Sequence, residues 1–242
     1  MTMKKIILKH AIQCGDHESC GIVIDNMHYM PCVNIATDTL NHFEIAADDW
    51  IKAEEQGKIT AIVHSHPNNG QPILSEADQF YQQKTAVDWW LVCNNQIFQF
   101  RYIQPLIGRD FQHGIMDCYT LFRDAYHLCG FDFPNYVRDD DWWNKGLDLY
   151  TEHIESNGFY QVKLSEIQEG DVILFSLISQ KANHAAIYIG NNSILHHLPK
   201  RLSKRDLFSG YWLKNYHSIW RHKEWQSSNF TAILSNMAIN TK

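Results

Sequence analysis

The chain has 242 residues, roughly one and a half times a typical domain of about 150, so one large domain or two small ones would fit. With 45% hydrophobic and 20% charged residues it can bury a core, which excludes disorder as its main state. A net charge of −6, from 21 Lys and Arg against 27 Asp and Glu, argues against nucleic acid or an anionic membrane held by bulk charge.

The N-terminal stretch Lys4-Lys5-Ile6-Ile7-Leu8 holds an apolar run of three, too short for a signal-peptide core or a membrane span. The six cysteines form no CxxC pair, so a zinc ribbon is not expected, and the simplest reading is folding in the cytoplasm with reduced thiols. Residues 20–36 predict two strands around an Asp25-Asn26 turn. Residues 44–56 predict a helix closed by Gly57, and Ile59 to Val63 a strand leading into His64-Ser65-His66-Pro67. Ser75 opens a helix to about Val87, followed by strands at Trp89–Val92 and Ile97–Tyr102 joined by Asn94-Asn95. This first half is an α/β unit. After Gln104 to Gly108 the pattern restarts, which places a boundary near 105 and gives units 1–105 and 106–242. Leu121, Phe122, Ala125, Leu128 and Cys129 mark one buried helix face over 118–129. An acidic and aromatic segment, Asp139 to Trp143, comes next. Strands at Asp171–Ser176, Ala185–Ile189 and Ser193–Leu195 make the second half α+β. The tail beyond about 225 is polar and gives no clear signal.

His64 and His66 are two apart at a strand end, and alternation puts both on one face, where paired imidazoles can chelate zinc. Asp78 is the candidate third ligand. Glu18 is the candidate acid–base group and the Ser75 hydroxyl the candidate oxyanion donor. Ser75-Glu76-Ala77-Asp78 also fits a helix cap, the plainer alternative. The order Glu18, His64-Ser65-His66-Pro67, Ser75-x-x-Asp78 resembles the JAMM (Mov34/MPN) metalloproteases. The likeness implies a zinc site of His64, His66 and Asp78 that hydrolyses amide or isopeptide bonds, with Glu18 and Ser75 as catalytic groups. Seven residues separate Pro67 from Ser75, one more than in that family's pattern.

In the second half, Asp117-Cys118 opens the predicted helix, a position where the positive end of the dipole lowers a thiol pKa. His184 begins a strand and His196 ends the next. Together these resemble the NlpC/P60 cysteine peptidases: helix-borne Cys, then Gly170-Asp171-Val172-Ile173-Leu174-Phe175, then His184-Ala185-Ala186-Ile187-Tyr188-Ile189-Gly190, then a strand-end His. By that resemblance the unit is papain-like, Cys118 is the nucleophile, His184 the base and His196 the orienting residue, with His197 as rival. Tyr119-Thr120 stands where many members have Ser-Gly. Trp142 and Trp143 read as anchors of a loop on the core, or else as walls of a substrate groove. Residues 200–205 (KRLSKR) read as a solvated basic turn.

A JAMM-like unit followed directly by an NlpC/P60-like one resembles the tail assembly proteins of lambda-like phages. That implies a late protein with tail-tip proteins as partners and peptidoglycan stem peptides as a candidate substrate. It would act in the host cytoplasm during assembly and associate with the tail tip. Proteolytic maturation of tail components, or a scaffold without activity, are the alternatives.

Overall fold

The structure, a computed structural model, describes residues 2–68 and 70–239, in two compact units that meet between Ile103 and Gln104.

The first unit is a five-stranded sheet with helices on both faces. The helix α1 (Met3–Cys14) precedes β1 (Cys20–Ile24) and β2 (His28–Cys32). Asp25 and Asn26 take positive φ in the turn between those strands, as short polar side chains tolerate. After α2 (Ala47–Gln56) come β3 (Ile59–Ser65), α3 (Glu76–Thr85), β4 (Asp88–Cys93) and β5 (Gln96–Phe100). The strand order is β2-β1-β3-β4-β5. Only β3 and β4 pair in parallel in this sheet, and α3 is the crossover between them. Alternation divides the sheet residues. Val23, Ala61, Val63, Trp90 and Val92 pack against Ile7 of α1, while Ile62, Trp89 and Leu91 lie on the opposite face with Leu74. His64 follows Ile62 onto that second face. Because β3 and β4 are parallel, the loop after β3 and the start of α3 lie over their C-terminal ends, where ligand sites of such sheets form. Two expectations shift. The helix begins at Ala47 rather than 44 because Ile45 bridges to Asn34. The N-terminal segment, given no element by its sequence, is a helix that sets Met3, Ile7 and Ala11 on the sheet.

The second unit packs α4 (Cys118–Leu128) on a six-stranded antiparallel sheet. Its other elements are α5 (Leu149–Ile154), β6 (Phe159–Val162), β7 (Val172–Phe175), β8 (His184–Tyr188), β9 (Ser193–His196), β10 (Lys204–Leu207), α6 (Tyr211–Asn215), β11 (Tyr216–His222) and α7 (Phe230–Ala238). The strand order is β10-β9-β8-β7-β11-β6. Phe122 and Tyr126 of α4 bury against Val172, Leu174 and Ala185, while Ile173, Phe175, Ala186 and Trp212 fill the opposite face. Within the tail that gave no signal, residues 230–238 form a helix with one buried face. Phe230, Ile233 and Met237 of α7 are each almost wholly enclosed, and Asn236 Oδ1 accepts from the Leu106 N–H at the start of the unit. Among the described residues no disulfide forms, and no helix is long and apolar enough to cross a membrane.

Candidate functional sites

In the first unit, His64, His66 and Asp78 converge. His64 Nε2 and His66 Nε2 are 3.2 Å apart, and Asp78 Oδ2 lies 3.3 Å from the first and 3.2 Å from the second. Tetrahedral zinc with bonds of about 2.0–2.2 Å places its ligand atoms about 3.3–3.6 Å apart, so this triangle fits the ion. The supports of each ligand are visible. His66 Nδ1 pairs at 3.0 Å with the Gln71 carbonyl, which requires Nδ1–H and turns the Nε2 lone pair to the site. Phe43 stacks on the His64 ring at 4.8 Å, and Trp89 meets it edge-on at 5.5 Å.

Asp78 answers the choice between cap and ligand by being placed for both. The Ser75 N–H donates to Asp78 Oδ2 at 2.8 Å and the Asp78 N–H donates to Ser75 Oγ at 3.1 Å, a reciprocal box at the start of α3. The cap fixes the same oxygen that faces the two imidazoles. Burial opposes the Asp78 charge, but the charges and hydrogen bonds of His64 and His66 outweigh it and hold the carboxyl far below the usual range. Ser75 itself is exposed and lines a cleft of about 890 Å³ together with Glu18, His66 and Asp78. Glu18 is 7% exposed, and burial pushes its carboxyl up to about 7, with the negative charges of Asp78 and Asp38 adding to the rise and His66 opposing it. A carboxyl poised there can exchange protons at neutral pH.

In the second unit, Asp117 caps α4. Its side chain accepts from the N–H groups of Thr120 (3.0 Å) and Gly114 (2.8 Å), and both carboxylate oxygens take a 2.8 Å bond from Arg138. Arg138 also donates to the Tyr136 carbonyl, so one ion pair ties the segment around 136–138 to the helix start. Cys118 follows the cap. Its Sγ lies 3.2 Å from the Tyr150 hydroxyl. Here the structure departs from expectation. Burial and the Asp117 charge push the Cys118 thiol up to about 11, against the lowering expected from the helix dipole. His184 is lowered well below its ordinary value, first by burial and then by His196 and His197, so its imidazole is neutral at pH 7. Cys118 and His184 line one cleft, together with Tyr150, Trp142, Trp143 and His197. Trp142 thus serves as core anchor and cleft wall together.

Both histidines that compete for the third role are fully buried, on different surroundings. His196 packs edge-to-face against His184, with centroids 5.5 Å apart, and its Nε2 pairs with Asp206 Oδ2 at 3.0 Å. His197 lies in the cleft wall against Phe111. Sequence reading missed Tyr150, Arg138 and Asp206. None of the three stands in a motif, and each arrives from a separate segment: Arg138 from a loop, Tyr150 from α5 and Asp206 from β10.

These two sites define a class: a JAB-type unit followed by an NlpC/P60-type unit. The family model for prokaryotic homologs of the JAB domain matches residues 2–103, and the NlpC/P60 family model matches residues 108–221. The chain belongs to the family of tail tip assembly protein K. It is 50% identical over 193 residues to tail tip assembly protein K of Escherichia phage lambda, covering 80% of this chain and 96% of that one. It is 32% identical over 231 residues to tail tip assembly protein K of Escherichia phage N15, covering 90% and 93%. A crystal structure of an NLP/P60-family protein similar to lipoprotein, from Staphylococcus aureus, aligns over 90% of this chain and 61% of that one, less than two thirds of its length. Its identity is 14% and the TM-score is 0.33.

Proposed function

We propose that this chain is a tail-tip assembly factor with two hydrolytic sites, partnered by tail-tip proteins. It would act in the host cytoplasm during assembly and then at the tail tip. The observation that supports the reading is that each unit brings side chains suited to its chemistry together. His64, His66 and Asp78 meet within hydrogen-bond distance. Cys118 and neutral His184 share a cleft backed by His196.

In the first site, His64, His66 and Asp78 would hold zinc, whose Lewis acidity would polarise a scissile carbonyl and acidify water toward neutrality. Glu18, with its carboxyl near neutrality, takes a proton from water and returns it to the leaving amine. The Ser75 hydroxyl, at the cleft surface, donates to the oxygen that gains charge. In the second site, Cys118 Sγ attacks an amide carbon while His184 takes the thiol proton. That proton then passes to the departing amine, and water cleaves the thioester. Because the thiol is held protonated and His184 neutral, transfer accompanies attack rather than preceding it. The substrate class for the second cleft is the peptidoglycan stem peptide, with maturation of a tail protein as the competing substrate.

A zymogram separates these readings. Clearing of peptidoglycan that is lost in Cys118→Ala and kept in His66→Ala supports wall cleavage by the second unit. No clearing by the zinc-loaded wild type, together with an uncleaved tail protein in mutant lysates, assigns the chemistry to maturation.

A further inference from the structure

Two buried histidines and the half-buried Asp206 lie on a diagonal across β8, β9 and β10. His196 is directly opposite Ala186 on one side and Lys204 on the other. Residues opposite one another share a face, so His196, together with His184 two residues from Ala186 and Asp206 two residues from Lys204, projects from the face away from α4. Trp212 of α6 closes that face, its ring centroid 4.5 Å from His196 and 5.6 Å from His184.

The bonding pattern along the diagonal is incomplete in an informative way. His196 Nε2 is 3.0 Å from Asp206 Oδ2, and the other oxygen of Asp206 takes a 2.8 Å bond from Lys204 Nζ. A carboxylate bonded to Lys accepts and does not donate, so neutral His196 carries its proton on Nε2. Its Nδ1 is then a lone pair. Among the described residues, two ring nitrogens on this diagonal are buried with no hydrogen-bond partner: His196 Nδ1 and His184 Nε2. One is an acceptor by the argument above, and the other belongs to the ring packed against it.

We propose that Asp206 is a positioning residue for the Cys118 site: it fixes His196 as the Nε2–H tautomer, whose free Nδ1 lone pair draws the adjacent His184 ring to the Nε2–H form and leaves His184 Nδ1 as the basic nitrogen. The proposal rests on the reading of Cys118 and His184 as nucleophile and base. The titratable and charged groups around the two rings are His197 on β9, Lys204 and Asp206 on β10, and Asp117 at the start of α4. Of these, Asp206 bonds His196 directly at 3.0 Å, whereas the others act at longer range.

Two measurements on the full chain test it without knowledge of the substrate: histidine tautomers by nitrogen NMR, and alkylation of Cys118 by iodoacetamide at pH 7. Wild-type His196 is expected as Nε2–H and His184 as Nε2–H. Asp206→Asn is expected to mix the His196 tautomers and slow alkylation at least about tenfold, a fraction of what a positioned base supplies. Asp206→Glu should restore most of the rate, and Lys204→Ala should keep the tautomer. Finding His196 as Nδ1–H in the wild type would overturn the proposal with no variant needed. So would an Asp206→Asn protein within twofold of wild type while His184→Ala is slow. If His184→Ala itself reacts like wild type, the base assignment beneath the proposal fails instead.

Discussion

Asp78 is placed to do two jobs, and two substitutions separate them. Asp78→Asn keeps an oxygen that can accept from the Ser75 N–H, so the box at the start of α3 survives, but it removes the charge that faces His64 and His66. Asp78→Ala removes both. Losing the reciprocal cap bond costs about 1 kcal/mol. In a unit of this size that lowers the melting temperature by about 4–8 °C. Both variants lose one of three protein ligands. Loss of a group that merely orients a ligand costs about 10–100-fold in metal affinity, so loss of the ligand itself should exceed about 100-fold. Zinc titration by calorimetry and melting of the metal-free protein read the two effects separately. Weak zinc binding in both variants, with extra melting loss in Ala alone, is the expected pattern. An Asn variant that binds zinc like wild type would refute the ligand argument and leave Asp78 as a cap.

Other outcomes follow from the same geometry. The Arg138–Asp117 pair is almost fully enclosed, so Arg138→Met strands a buried carboxylate and should cost about 3–5 kcal/mol in urea unfolding. Arg138 holds the Asp117 carboxyl below its ordinary value against the opposing effect of burial, so this stabilisation is present above about pH 4 and is lost as pH falls further. Glu18 has the opposite sign. Its carboxyl is raised to about 7, so the metal-free protein loses stability as pH climbs from about 4.5 to 7, by about 3 kcal/mol. Glu18→Gln should recover that at pH 8 and gain nothing at pH 4. With the Cys118 thiol near 11 and His184 neutral, alkylation of Cys118 should keep rising from pH 7 to 10. A plateau reached by pH 6 would show a preformed thiolate and contradict the burial argument.

What the sequence shows and what it hides divides along physical lines. Short-range geometry is legible. His64 and His66 at the end of a strand, Ser75 three before Asp78, and Asp117-Cys118 at a helix start each fix their own local conformation. Pairing across the sheet is not legible, because register depends on which strands meet. Asp206 lies in Lys204–Leu207, a polar edge strand without apolar alternation, so nothing local marks it as the partner of His196. Tyr150 reaches Cys118 from a six-residue helix that follows an irregular segment. The thiol pKa is misjudged from sequence for a related reason. The dipole belongs to the helix and can be read, whereas burial belongs to the assembled cleft. In α7 a signal was present: Phe230, Ile233 and Met237 repeat at helical spacing, masked by the polar residues among them.

The central claim is that the Cys118 cleft cuts amide bonds independently of the metal site. Purified peptidoglycan, digested by the full chain and analysed by liquid chromatography and mass spectrometry, tests it most directly. Cut stem peptides are expected from the wild type and from His66→Ala, and none from Cys118→Ala. Products that persist in Cys118→Ala, or disappear in His66→Ala, would contradict it.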